Sequence, residues 1–270
     1  MLTLTLKRQP DVPLEAEVLT PDALADKSPA AARALPVFLG KRRMRLDDFF
    51  DFDGSVDDEL ELRGDLSRVK WVGKGMIRGS IHVRGNVGMH LGAYMRGGSI
   101  NVDGNAGDWA GGEMAGGLIR IRGNAGSQIG AAYRGSPSGM NRGTILIDGS
   151  AGIEVGMRMK RGLISVKGRV RDFAGLGMKG GTLVLGGGAE IRTGAWMLRG
   201  TIICLTPVRL LPTFAPCCTY DPPFVRVYAR LLEPLGIAIP YEGGTYQRFM
   251  GDTSVPGKGE ILLWRPVVRL

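Results

Sequence analysis

Cysteine and histidine are scarce in this sequence. There are 3 cysteines, Cys204, Cys217 and Cys218, and 2 histidines, His82 and His90. An odd cysteine count without CxxC spacing implies neither a disulfide framework nor a thiolate metal site. Two histidines exclude a three-histidine metal centre, and each reads as a surface or hydrogen-bonded polar residue. No apolar run approaches the roughly 18 residues that cross a bilayer, and Met1 to Pro10 lacks the charged start and apolar stretch of a signal peptide. A soluble, cytoplasmic chain is expected. No nucleophile elbow or P-loop occurs, and no acidic cluster on neighbouring strands could hold a cation.

Glycine, by contrast, is abundant at 43 of 270 residues, and an internal repeat accounts for the excess. Methionine returns at 76, 95, 114, 140, 159, 178 and 197, every interval being 19 residues except one of 26. Glycine follows each three residues later, from Gly79 to Gly200. Five and seven residues after each methionine stand apolar, mostly β-branched pairs, from Ile81 with Val83 to Ile202 with Cys204. That alternation predicts one short strand per unit with one face buried. Further glycines, from Gly85 and Gly92 to Gly187 and Gly194, mark the corners. One such unit cannot bury its apolar side alone, but copies stacked about 4.8 Å apart can. The expected fold is an all-β solenoid, a right-handed parallel β-helix of 7 to 8 coils, since parallel crossovers almost always take that hand. An irregular first coil would carry Leu60, Leu62, Gly64 and Gly73, and Asn86, Asn105, Asn124 and Ser150 would stack as a hydrogen-bonded ladder.

The expected division is an N-terminal strand and helix segment over 1–54, the repeat over 55–206, and a C-terminal cap with one helix over 207–270. Leu2, Leu4 and Leu6 alternate with polar residues as a strand. Thr20 before Pro21 reads as a helix N-cap. Lys41, Arg42, Arg43 and Arg45 are expected in a solvated charged loop. Beyond Pro222 and Pro223, apolar residues from Phe224 to Leu232 take helical spacing and end near Pro234 and Gly236; this helix and the Ile261 to Trp264 strand are expected to close the stack. Pro240 to Gly259 carries too much glycine and proline to assign.

Gly175, Gly177 and Gly180 match GxGxxG, but they are corners of successive coils, not the strand-to-helix turn a dinucleotide needs. The net charge of +9 favours an acidic partner or anionic ligand. One or two residues after the methionines stand Arg78, Arg96, Arg142, Lys160, Arg161, Lys179 and Arg199, which stacking would align as a stripe. The stripe reads either as a solvated face or as a track for a polyanion or an acidic subunit. Without interleaved aromatics it argues against nucleic acid. Trp109, Phe173 and Trp196 at the corners are candidate anchors for partners. Asp108 and Asp172 beside two of these aromatics leave open an alternative, a free-standing β-helix enzyme or binding protein for an acidic polysaccharide.

The GxxGxxxG corner spacing resembles the glycine-repeat domain of the glutamate synthase large subunit. The LTLTLK start, Val12 to Asp22, Leu46 to Gly54 and the repeat are similar to the C-type subunit of formylmethanofuran dehydrogenase. Tyr246 to Asp252 and Gly257 to Trp264 look like its bacterial branch, the C-type subunit of the formyltransferase/hydrolase complex of methylotrophs. The resemblance implies a non-catalytic scaffold subunit in one-carbon metabolism and formaldehyde oxidation. Its implied partners are hydrolase, formyltransferase and B-type subunits. The complex would pass a formyl group from a tetrahydromethanopterin carrier to a methanofuran-type coenzyme and hydrolyse it to formate. No catalytic residue and no metal carries over to this chain. The stripe of seven cations would then attract the coenzyme's polyglutamate tail.

Overall fold

The computed structural model describes residues 1–25 and 27–267. Each repeat contributes one strand, from Glu59–Arg63 and Ser80–Arg84 to Lys179–Leu185 and Arg199–Cys204, and each pairs in parallel with the next. The register joins equivalent positions: Ile81 to Ile100, Ile100 to Ile119, Ile119 to Ile145, and so on to Leu183 with Ile202. A second column of parallel bridges runs through Val87, Ala106 and Ala125 and resumes through Ala151, Val170 and Ala189. The residues five and seven after each methionine are buried, as the alternating pattern requires. Across the long interval the second column is interrupted, while the strand ladder keeps Ile119 opposite Ile145.

Packing explains why methionine and glycine recur together. All seven methionines are at most 1% exposed, and from Met76 to Met178 each reaches beneath the glycine of the following unit. At Gly98 the backbone has φ +77°, and an added Cβ would lie 2.6 Å from Met76 Cε and 2.6 Å from the Gly79 carbonyl oxygen. Only glycine satisfies both the left-handed backbone and the close approach there. The asparagine ladder differs in kind from the expectation. Its side-chain oxygens accept from backbone N–H groups one unit on, Asn105 N to Asn86 Oδ1 at 2.9 Å and Asn124 N to Asn105 Oδ1 at 2.7 Å. A corner N–H must be satisfied, which gives the amide oxygen a better donor than a neighbouring side chain.

At the N-terminal end, Leu2–Leu6 adds a parallel strand, Leu2 opposite Leu60, and is covered by antiparallel Phe50–Gly54. Thr20 caps the Pro21–Leu24 helix, its Oγ1 accepting from Ala23 N at 3.0 Å. The basic cluster is not a loop. Arg42–Arg45 is a strand antiparallel to Pro36–Leu39, turned at Gly40 with φ 60°. Met44, between Arg43 and Arg45, packs against the core, and the three arginines stay exposed.

At the other end, Gly259–Pro266 continues the parallel ladder, Ile261 opposite Ile202, and is followed outward by antiparallel Gly244–Gly251 and then Ala215–Tyr220. The unassigned Pro240 to Gly259 stretch thus contains an eight-residue strand whose glycines lie at its ends. The Pro223–Leu232 helix does not close the stack. Val225, Ala229 and Leu232 pack with Ile237, Ile239 and Tyr246 on Leu146, Leu163, Val184 and Ile203, residues of the ladder's outer side. Both faces are therefore buried in the later units, whereas His82, Asn101 and Arg120 take the outer place earlier. Among the described residues no helix is long and apolar enough to cross a membrane.

Candidate functional site

One corner of the stack concentrates the chain's aromatic and polar side chains. Fourteen residues after the methionines stand His90, Trp109, Gln128, Glu154, Phe173 and Arg192, with Trp71 one unit earlier. All seven have positive φ, from 59° at Arg192 to 67° at Trp71. That conformation costs non-glycine residues on the order of 1–2 kcal/mol each, so something must hold it. Stacking brings these side chains into contact in pairs. Trp71 and His90 lie 4.0 Å apart between ring centres and 8° from parallel, and Arg192 sits over the Phe173 ring at 4.0 Å. Gln128 Nε2 donates to Glu154 Oε2 at 3.0 Å.

The seven-residue insertion joins this column. Its Tyr133 ring stacks on Trp109 at 4.6 Å and 12°, and its hydroxyl lies 2.9 Å from His90 Nδ1. Tyr133 N donates to Glu113 Oε1 at 2.9 Å, Arg158 Nη1 to the Ser136 carbonyl at 3.0 Å, and Lys179 Nζ to the Pro137 carbonyl at 2.6 Å. Lys74 Nζ stands 4.7 Å over Trp71. Burial, with Lys70 nearby, pushes the His90 imidazole down to about 4, so it is neutral at pH 7. Burial also raises the Tyr133 phenol above its ordinary range, keeping it protonated. The pair is a neutral hydrogen bond in a ring-lined corner, not an acid–base couple poised near neutrality.

The seven cations of the expected stripe do not behave alike. Arg78 approaches Asp22 at 3.8 Å and Asp58 at 3.7 Å, and Lys179 is bonded to the insertion. Arg96, Arg142, Lys160, Arg161 and Arg199 are exposed and form no ion pair among the described residues. Ala115 and Gly116 leave a gap between Arg96 and Arg142. Of the aromatic anchors, Trp109 and Phe173 are covered by Tyr133 and Arg192, while Trp196 is 61% exposed.

Both histidines have hydrogen-bond partners. His82 Nε2 lies 3.1 Å from Asp103 Oδ2, within a network on the early outer face. There Arg84 bridges Asp103 and Glu61, and Arg63 also meets Glu61. Burial alone would raise the Glu61 carboxyl, but the hydrogen bonds from Arg84 and Arg63 bring it below its ordinary value. Cys204 is a core residue whose thiol burial pushes up to about 12. Cys217 and Cys218 are exposed on the outermost strand. Among the described residues no group of three or more His, Cys, Asp or Glu side chains comes together as metal ligands would.

The aromatic column is not among the features expected from the sequence, although Trp71, His90 and Trp109 recur at the repeat's own spacing. Tyr133 has no place that sequence can assign, because it lies outside the period and reaches back as far as His90 and Trp71.

No family model matches the chain. Among curated proteins it is 38% identical over 97 residues to the C-type subunit of the tungsten-containing formylmethanofuran dehydrogenase 2 of Methanothermobacter thermautotrophicus, covering 34% of this chain and 36% of that one. It is 38% identical over 89 residues to the C-type subunit of the formyltransferase/hydrolase complex of Methylorubrum extorquens, covering 32% and 34%. The matched segments thus span about a third of the curated relatives. The structural likeness is broader. A chain of the crystal structure of the formyltransferase/hydrolase complex of Methylorubrum extorquens, solved with methylofuran, superposes with a TM-score of 0.88 at 35% identity, covering 97% of this chain and 98% of that one. With that identity over nearly the whole of both chains, and the same family found among the curated relatives, the chain belongs to the family of C-type subunits of formylmethanofuran dehydrogenases and formyltransferase/hydrolase complexes.

Proposed function

We propose that this chain is a non-catalytic scaffold subunit of a cytoplasmic formyltransferase/hydrolase complex. Its partners are hydrolase, formyltransferase and B-type subunits, and the complex takes formyl-tetrahydromethanopterin to formate through a methanofuran-type coenzyme. The observation that carries this reading is the likeness over 97% of the chain to one chain of such a complex. The stacked repeat is read as a right-handed parallel β-helix of 7 to 8 coils over residues 55–206, flanked by the segments 1–54 and 207–270. A rod of this kind offers long, fixed sides to several partners at once.

Within that reading, Arg78, Arg96, Arg142, Lys160, Arg161, Lys179 and Arg199 guide the polyglutamate tail of the coenzyme. The five that lack ion pairs carry most of the effect, divided by the gap at Ala115 and Gly116. Exposed pairs are worth only about 0.2–1 kcal/mol each, so several together retain a mobile tail without fixing it. A tagged chain recovered from its native host should bring hydrolase and formyltransferase subunits in stoichiometric amounts. Recovery as a lone monomer would refute the scaffold role and reopen the polysaccharide alternative.

A further inference from the structure

The 26-residue interval is the one break in an otherwise regular repeat, and side chains from several other units are committed to holding what it inserts. His90 and Trp109 seat the Tyr133 ring, Glu113 accepts from its backbone N–H, and Arg158 and Lys179 grip the carbonyls of Ser136 and Pro137. The tethers come from both sides of the insertion along the stack. A loop held at so many rungs is preorganised, and preorganisation lowers the entropy lost when a surface is bound. Arg134, next to the seated tyrosine, is exposed. The ion pairs of the surrounding units, Arg120–Asp148, Lys167–Asp148, Arg171–Glu190 and Arg192–Asp172, do not involve Arg134, Arg158 or Lys179. Three cations thus gather at the insertion, and the carboxylate that touches it, Glu113, is occupied by Tyr133 N.

We propose that the Tyr133–Gly139 insertion is a docking knob for a carboxylate-bearing surface of a partner subunit, with Arg134 as its anchor. The inference rests on the scaffold reading above and assigns it a contact. The charge calls for carboxylates, and a loop held in one pose matches carboxylates fixed on a folded surface more closely than those of a mobile coenzyme tail, which takes many poses. Two variants of the whole chain test it: Arg134→Glu, and a deletion of Tyr133–Gly139 that returns the Met114 unit to the regular repeat length. Both are mixed with the hydrolase, formyltransferase and B-type subunits, and affinity is measured at low and high salt. Arg134→Glu should weaken association about tenfold or more at low salt with unchanged thermal stability, and the deletion should abolish it. Unchanged affinity for Arg134→Glu overturns the proposal, whether or not the deletion folds. Normal association with a raised coenzyme KM also overturns it, since the carboxylates would then belong to the tail. If the unaltered chain fails to associate, the scaffold reading itself falls, and the knob with it.

Discussion

The Cε of Met140 lies 2.9 Å from the point a Cβ on Gly162 would occupy, one unit along the stack. Gly162 also has φ +101° and faces the Gly143 carbonyl oxygen, 2.8 Å from the same point. Gly162→Ala should therefore destabilise the chain by roughly 2–4 kcal/mol, combining left-handed strain with overpacking. Adding Met140→Ala should give a total loss smaller than the sum of the two single losses, because the methionine's removal relieves the clash. Denaturant unfolding of the four proteins measures this; strict additivity would show that the two side chains do not share the space.

The His90–Tyr133 pair gives a pH dependence of defined sign. His90 titrates at about 4 when folded and near 6.5 when unfolded, so between those values the unfolded chain binds more protons. Its neutral seat is fully stabilising above about 6.5, and that contribution falls as pH drops toward 4. Lys70 and Lys74 oppose protonation there, and Asp108 favours it. His90→Gln should lose less thermal stability than the parent between about pH 7 and 4.5. The difference between the two curves isolates His90 from carboxylates such as Glu61, which titrate in both proteins. Parallel curves would mean that the imidazole is not held neutral.

For the stripe, replacing Arg142, Lys160 and Arg161 together by glutamine should raise the apparent KM for the coenzyme severalfold at low ionic strength while the complex still assembles. High salt should shrink the difference. An unchanged KM at low salt reduces these cations to a solvated face.

The repeat is legible in the sequence because stacking imposes one environment on each position, so the same packing demand reappears at every turn. Met76 to Met197 and Gly79 to Gly200 announce themselves for that reason. The Met–Gly contact between units is not legible, since a recurrence names positions without saying which touch. The outer layer leaves a readable trace: the place held by His82, Asn101 and Arg120 becomes Leu146, Val184 and Ile203 in later units, with Ser165 the polar exception. What covers those residues is obscure, because Tyr246 and Ile239 are far from them in sequence and lie among glycines and prolines. Arg42–Arg45 misleads for a related reason. Its charges describe solvent exposure, whereas its strand character comes from pairing with Pro36–Leu39.

Ile119 and Ile145 face each other although seven extra residues separate them. The stack therefore counts rungs and ignores the length of chain between them. A corner of this stack behaves as a port, where sequence can be added at a chosen height while the core below keeps its register. Transplanting the insertion to the same corner of a neighbouring unit would shift it along the rod by about 4.8 Å. The molecule can thus serve as a ruler graduated in repeat units, on which the distance between two grafted recognition loops is set by counting methionines.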